Sequence, residues 1–117
     1  MYVSGFLTPV PTPNKDAYVE HARKAWPLFK EYGATEFMEA WGENIPEGNT
    51  TDFRRAVKLK DEETVVLNWI VWPDKETADA CMQSMETDER RQAMMDMPFD
   101  GKRMIFGDFT PLVHEKA

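Results

Sequence analysis

The chain has little of what catalytic and metal-binding proteins usually display. It carries one cysteine, Cys81, among 117 residues. That excludes an intramolecular disulfide and fits a reducing compartment. Its two histidines, His21 and His114, lie far apart and lack the i, i+4 spacing of a metal-binding pair, so no metal is expected. Six glycines are too sparse, and Gly101 and Gly107 wrongly placed, for a dinucleotide fingerprint. There is no phosphate loop, nucleophile elbow or CxxC, and no cofactor is expected. Acidic residues outnumber basic ones, 21 to 14, for a formal charge of −7. Basic residues cluster no further than pairs such as Arg90-Arg91 and Lys102-Arg103, so nothing favours a nucleic-acid or anionic-membrane partner. The longest apolar run, Val65 to Trp72, is interrupted by Asn68 and too short to span a bilayer. The N-terminus lacks the basic start of a secretory signal. A soluble, cytoplasmic protein is expected.

What the chain does have is aromatic side chains: four Trp, seven Phe and three Tyr. Its length suits one domain, residues 1–117, with a core that needs no staples. Val3 to Val10 reads as a strand that Pro9, Pro11 and Pro13 end. Asn14 is a good N-cap for a helix carrying Ala17, Tyr18, Ala22, Ala25, Trp26, Phe29 and Tyr32, with Gly33 at its C-cap. Pro27 inside that pattern predicts a kink or break near Trp26. Thr35–Trp41 and Asp52–Leu59 alternate as strands. Val65–Trp72 is the strongest strand, apolar on both faces and therefore central. Pro73-Asp74 starts a second helix with Ala78, Cys81, Met82 and Met85 as its buried stripe. A short helical segment follows to about Met95. After the Asp100-Gly101 turn, Lys102–Phe109 is the last strand.

Strand, helix, three strands, helix, strand is an α+β order that gives a ferredoxin-like antiparallel sheet with helices on one face. On the central strand Val65, Leu67, Trp69 and Val71 share one side, with Val3, Gly5 and Leu7 of the first strand. Val66, Asn68, Ile70 and Trp72 share the other, with Tyr2, Ser4, Phe6 and Thr8. One side suits the helices. The mixed, partly polar side is expected to be covered by a second sheet or a ligand, and a homodimer packed through the open sheet face would cover it.

Four segments carry a family likeness: Phe29-Lys-Glu-Tyr-Gly-Ala34, Thr51-Asp-Phe-Arg-Arg-Ala-Val57, Trp69-Ile-Val-Trp-Pro-Asp-Lys-Glu76 and Met97-Pro-Phe-Asp-Gly-Lys-Arg-Met104. Through them the chain resembles the YbaA-like family of uncharacterised small proteins, within the dimeric α/β-barrel group. The resemblance implies a ferredoxin-like protomer and a homodimer, and transfers no catalytic residue. More distantly, the chain resembles cofactor-independent monooxygenases and haem-degrading enzymes of that group, which use an Asn and a Trp in the barrel cavity. Asn68 and Trp72 stand four apart on one strand and match those types. The histidine of the haem-degrading branch has no counterpart.

Five residues are candidates for binding a small molecule. Asn68 in an apolar strand must bond both ends of its amide or incur a desolvation cost, so it orients a ligand or bonds within the fold. Trp41 and Trp72, with Trp69, form an aromatic pocket or a core. Arg103 binds a substrate carboxylate, or pairs with Glu39 or Asp100. Glu39, between Phe37 and Trp41, becomes a proton acceptor if burial raises its pKa. His21 reads as a surface residue, and Cys81 as buried and inert. Two functions follow: a non-catalytic small-molecule binder, or a cofactor-independent monooxygenase or isomerase acting on a small aromatic compound.

Overall fold

Strand β1 spans Tyr2–Pro11 and a 3-10 turn, Thr12–Asn14, leads from it into helix α1, Lys15–Glu31. Then come β2 (Glu36–Trp41), a single helical turn α2 (Phe53–Ala56), β3 (Glu63–Trp72), α3 (Lys75–Met85), a second short turn α4 (Arg91–Met94) and β4 (Ile105–Phe109). This is a computed structural model; it describes residues 1–117, the side chain of Ala93 apart. The four strands form one sheet in the order β2-β3-β1-β4, antiparallel at every junction. With α1 and α3 both on one face, that is the ferredoxin-like plan expected from the sequence.

Four local expectations are corrected. First, Pro9 does not end β1, which runs on and stops at Pro11, where the 3-10 turn begins. Val65, opposite Pro9, turns its carbonyl toward β2, where Gly42 N donates to it at 2.9 Å. At such a pair the β1 residue owes no bond to β3, so proline's missing N–H costs nothing there. Second, α1 runs unbroken through Pro27. Pro27 is exposed while Ala25 and Leu28 beside it are buried, so the lost bond faces water and packing holds the helix together. Third, Asp52–Leu59 is not a strand. Asp52 caps α2, its Oδ1 accepting from Arg55 N at 2.7 Å and its Oδ2 from Gly48 N at 3.1 Å. Phe53 and Val57 are then an i, i+4 pair rather than alternate strand positions, and Val57 is buried. Fourth, β4 starts only at Ile105, because Asp100 folds the preceding residues into a turn: its Oδ1 accepts from Lys102 N and its carbonyl from Arg103 N.

Helix ends follow the chemistry of their residues. Asp74 caps α3 by accepting from Thr77 N at 2.7 Å. Gly33 closes α1 at φ 106°, with Ala34 N bonded back to Phe29 O. A Cβ there would meet Thr77 Cγ2 at 2.7 Å, so both backbone and space demand glycine. Asn14 does not cap α1 with its side chain; it donates to Pro98 O at 3.0 Å.

The registers decide which side of the sheet meets the helices. Ser4, Phe6, Thr8 and Val10 of β1, Val66, Asn68, Ile70 and Trp72 of β3, and Phe37, Glu39 and Trp41 of β2 share the helix side. The mixed side is therefore under the helices, and the smoother side is open, which reverses the expectation for the two faces. Met38, Leu67, Ile105 and Phe109 on that open side are each more than two-fifths exposed. The reason is local: Ala78 and Cys81 of α3, with Ala34, pack against Ile70 and Trp72, and small helix residues let the bulky even-numbered strand residues in. Among the described residues no helix is long and apolar enough to cross a membrane.

Candidate ligand-binding site

Between the sheet and the helices lies a cavity of about 450 Å³. Phe6, Thr8, Asn68 and Ile70 line it from the sheet, Tyr18 and Phe29 from α1, and methionines from α3, α4 and the segment beyond. Every methionine of the chain except Met1 and Met38 lines this space. Unbranched and polarisable, methionine adapts its shape to a guest and makes favourable contacts with aromatic faces.

One part of the wall is polar. Tyr18 OH donates to Glu39 Oε1 at 2.5 Å. Asn68 Nδ2 donates to the same Oε1 at 2.6 Å and to Tyr18 OH at 3.0 Å. Because a carboxylate only accepts, Asn68 must turn its amide nitrogen toward Glu39, which sends Oδ1 elsewhere. Among the described residues Asn68 Oδ1 and Thr8 Oγ1 are buried and have no hydrogen-bond partner. Thr8 lies beside Tyr18 without completing a bond to it. Leaving a buried polar group unmet costs about 1–3 kcal/mol, so Asn68 Oδ1 marks a place for a donor, and Thr8 Oγ1 on the neighbouring strand a place for a donor or an acceptor.

Burial governs the protonation of this cluster. It raises the pKa of Glu39 above the usual carboxylate range, against the opposing pull of bonds from Tyr18 and Asn68 and of nearby His21. Burial, followed by the charge of Glu39, pushes the Tyr18 hydroxyl far above its ordinary value. Tyr18 is thus held as a neutral donor and Glu39 as a base of increased strength.

The candidate residues separate into three places. Asn68 and Glu39 meet in the polar cluster. Trp41 stands nearby on β2, with Lys15 Nζ 5.4 Å from its ring centre. Trp72 is buried outside the cavity, its indole donating to Ser4 Oγ at 3.2 Å, which in turn donates to Asp108 Oδ1 at 2.7 Å. Arg103 is also elsewhere. Its guanidinium grips Glu63 with two bonds of 2.8 and 2.7 Å and Asp100 with one of 2.9 Å, and reaches the carbonyls of Val57 and Lys58. The Asp100 pairing was expected; Glu63 takes the place considered for Glu39. Arg103 thereby straps the 97–104 turn to the start of β3.

Tyr18, Thr8 and His21 escaped the sequence reading as site residues. His21 is half-buried rather than a surface residue, with Nε2 3.0 Å from Met94 O and its ring edge-on to Phe99. A tyrosine within a buried helical stripe is itself a signal, because its hydroxyl needs a partner. The crowding of six methionines between residues 82 and 104 was a second. Among the described residues no cluster of His, Cys, Asp and Glu could hold a metal ion.

Fold and cavity define a ferredoxin-like α+β protein with a methionine-rich chamber, open to solvent on one side, between sheet and helices. Residues 1–101 match the family described as "Protein of unknown function (DUF1428)", and the chain belongs to that family. It is 50% identical over 115 residues to the uncharacterized protein YbaA of Escherichia coli, covering 97% of this chain and 98% of that one. The Shigella flexneri protein of the same name matches equally. In architecture it is similar to a dimeric ferredoxin-like protein from an uncultured marine organism, with a TM-score of 0.57 at 14% identity over 99% of this chain and 98% of that one.

Proposed function

We propose that this protein binds a small, largely apolar molecule in the methionine-rich chamber and holds one polar group of it against Asn68 and Thr8. The observation that carries the proposal is the pair of buried polar oxygens without partners, Asn68 Oδ1 and Thr8 Oγ1, in the wall of a cavity lined mainly by methionines and aromatic rings. A ligand N–H or O–H aimed at them would remove a desolvation cost and supply orientation, while the methionines supply area. The domain is a single unit, residues 1–117, acting in the cytoplasm as a homodimer. The open sheet face, with Leu67 and Phe109 exposed at 43% and 56%, is the surface for the second copy, and the similar marine protein is described as dimeric. Equilibrium sedimentation tests this: a dimer at micromolar concentration that Leu67→Arg converts to monomer is expected, and a wild-type monomer overturns it.

Glu39 favours a second reading, an enzyme. A carboxylate made more basic by burial beside a neutral tyrosine donor can take a proton from carbon next to a carbonyl and return it one position along, which is isomerisation. The same base can ionise an electron-rich phenol for direct reaction with molecular oxygen. Both readings meet one experiment, a panel of phenols, hydroquinones and unsaturated ketones followed by thermal shift, absorbance and oxygen electrode. Binding without turnover supports the binder. Turnover lost in Glu39→Gln supports the enzyme. No binding across the panel counts against both.

A further inference from the structure

A second hollow of about 640 Å³ lies on the other flank of Tyr18 and Glu39, between α1 and the edge strand β2. Two rows of α1 form one wall. Lys15, Val19 and Arg23 follow each other at i, i+4, i+8 along the exposed lip, and Tyr18, Ala22 and Trp26 do so beneath them. Phe37, Glu39 and Trp41, alternate residues of β2, form the other wall. Trp26 and Phe37 lie parallel within 5°, their ring centres 5.9 Å apart.

The charges of this cleft run against those of the molecule. In a chain of net charge −7 its lip carries two cations, and among the described residues neither Lys15 nor Arg23 has an ion-pair partner. Lys15 is steadied instead by the face of Trp41. Deeper in, Glu39 uses Oε1 for both Tyr18 and Asn68, and among the described residues Oε2 has no hydrogen-bond partner. The cleft thus offers cations at its mouth, aromatic walls, and one solvent-accessible acceptor inside.

We propose that the α1–β2 cleft is a second binding site, for a small aromatic acid whose carboxylate meets Lys15 and Arg23 and whose opposite end donates a hydrogen bond to Glu39. A carboxylate entering the other way round would face Glu39, so the charges also fix the orientation. The ring's area is buried against Trp26, Phe37 and Trp41. The proposal does not rest on occupancy of the methionine-rich chamber, which neither Lys15 nor Arg23 lines.

The test is tryptophan fluorescence titration with 4-hydroxybenzoate, its neutral amide 4-hydroxybenzamide as the comparison, and the variant Lys15→Ala/Arg23→Ala. Both residues are exposed, and circular dichroism checks that the variant keeps its fold. Expected are saturable quenching by the acid, affinity lower by about tenfold or more for the amide and for the variant, and weakening of the acid alone by added salt. Absence of saturable quenching up to millimolar acid, equal binding of acid and amide, or an unchanged affinity in the variant would each overturn the proposal. Chamber ligands keep their affinity in this variant, so failure here and failure of the chamber are distinguishable.

Discussion

Replacing Asn68 by leucine separates what that side chain does for the fold from what it does for a ligand. Asn68 is only 7% exposed, and its Nδ2 makes the bonds to Glu39 and to the Tyr18 hydroxyl. Removing a bond to a charged acceptor costs about 1.5–3 kcal/mol and one to a neutral hydroxyl about 0.5–1.5 kcal/mol, roughly 2–4 kcal/mol together. Two gains oppose this. The unmet Oδ1 disappears, worth about 1–3 kcal/mol, and the Tyr18–Glu39 bond survives to keep both partners paired. Leucine, of the same branched shape and somewhat larger, leaves no hole. The net loss expected is about 1–2 kcal/mol, read by urea denaturation with an unchanged slope. Asn68→Ala should cost more, because it adds a cavity. Asn68→Asp should cost most at neutral pH, since it sets a second carboxylate against Glu39 with no donor between them, and its deficit should shrink in acid. The order leucine, alanine, aspartate is the result to obtain. If leucine costs more than about 4 kcal/mol, or aspartate is tolerated as well as leucine, the unmet acceptor and the role of Nδ2 are both misjudged.

Glu39→Gln tests the burial of the carboxylate through pH. The folded-state pKa of Glu39 lies above its unfolded value, so between the two the folded protein holds the proton that the unfolded chain has lost, and stability falls as pH rises through that window. The variant should therefore gain stability over wild type at neutral pH and not below the unfolded pKa; parallel profiles would contradict this. Arg103→Ala leaves the Glu63 carboxylate, 7% exposed at its side chain, without its guanidinium and should cost about 3–5 kcal/mol, with Arg103→Lys intermediate because an ammonium cannot bond both oxygens at once. The bond from Arg103 holds the pKa of Glu63 below the usual range; that stability is present above the unfolded pKa and lost as pH falls through the folded one, so the alanine variant's deficit should narrow in acid. Burial pushes the Cys81 thiol up to about 11, and only 1% of the residue is exposed. Alkylation at neutral pH should be at least a hundredfold slower in the native protein than in urea, and rapid native labelling would contradict the packing of α3.

The fold was legible where one physical signal acted alone. The apolar run Val65–Trp72 of β3, interrupted only at Asn68, the aspartate before α3 and the glycine after α1 each point to one structure. It was misread where two signals competed. At 52–59 a period-two pattern coincided with an i, i+4 pair, and the Asp52 cap decided for the helix. At Pro9 and Pro27, proline's penalty was overruled by a ladder that needs no donor there and by a solvent-facing helix side. The site was half legible. Asn68 and Glu39 were recognised as polar residues in apolar strands, but their meeting depends on the β2–β3 register, which sets them opposite each other. Tyr18 joins them only through the packing of α1 across the sheet. Trp72 and Arg103 were chosen by residue type, and their partners Ser4 and Glu63 lie 68 and 40 positions away in the chain.

Native mass spectrometry of the protein purified gently from cell extract, wild type beside Asn68→Leu, tests the chamber most directly. The expected result is a bound small molecule that travels with the wild type, is released on denaturation, and is absent from the folded leucine variant. A wild-type protein free of any bound mass, or one that keeps its molecule equally well in Asn68→Leu, would contradict the assignment of the methionine-rich chamber as a ligand site.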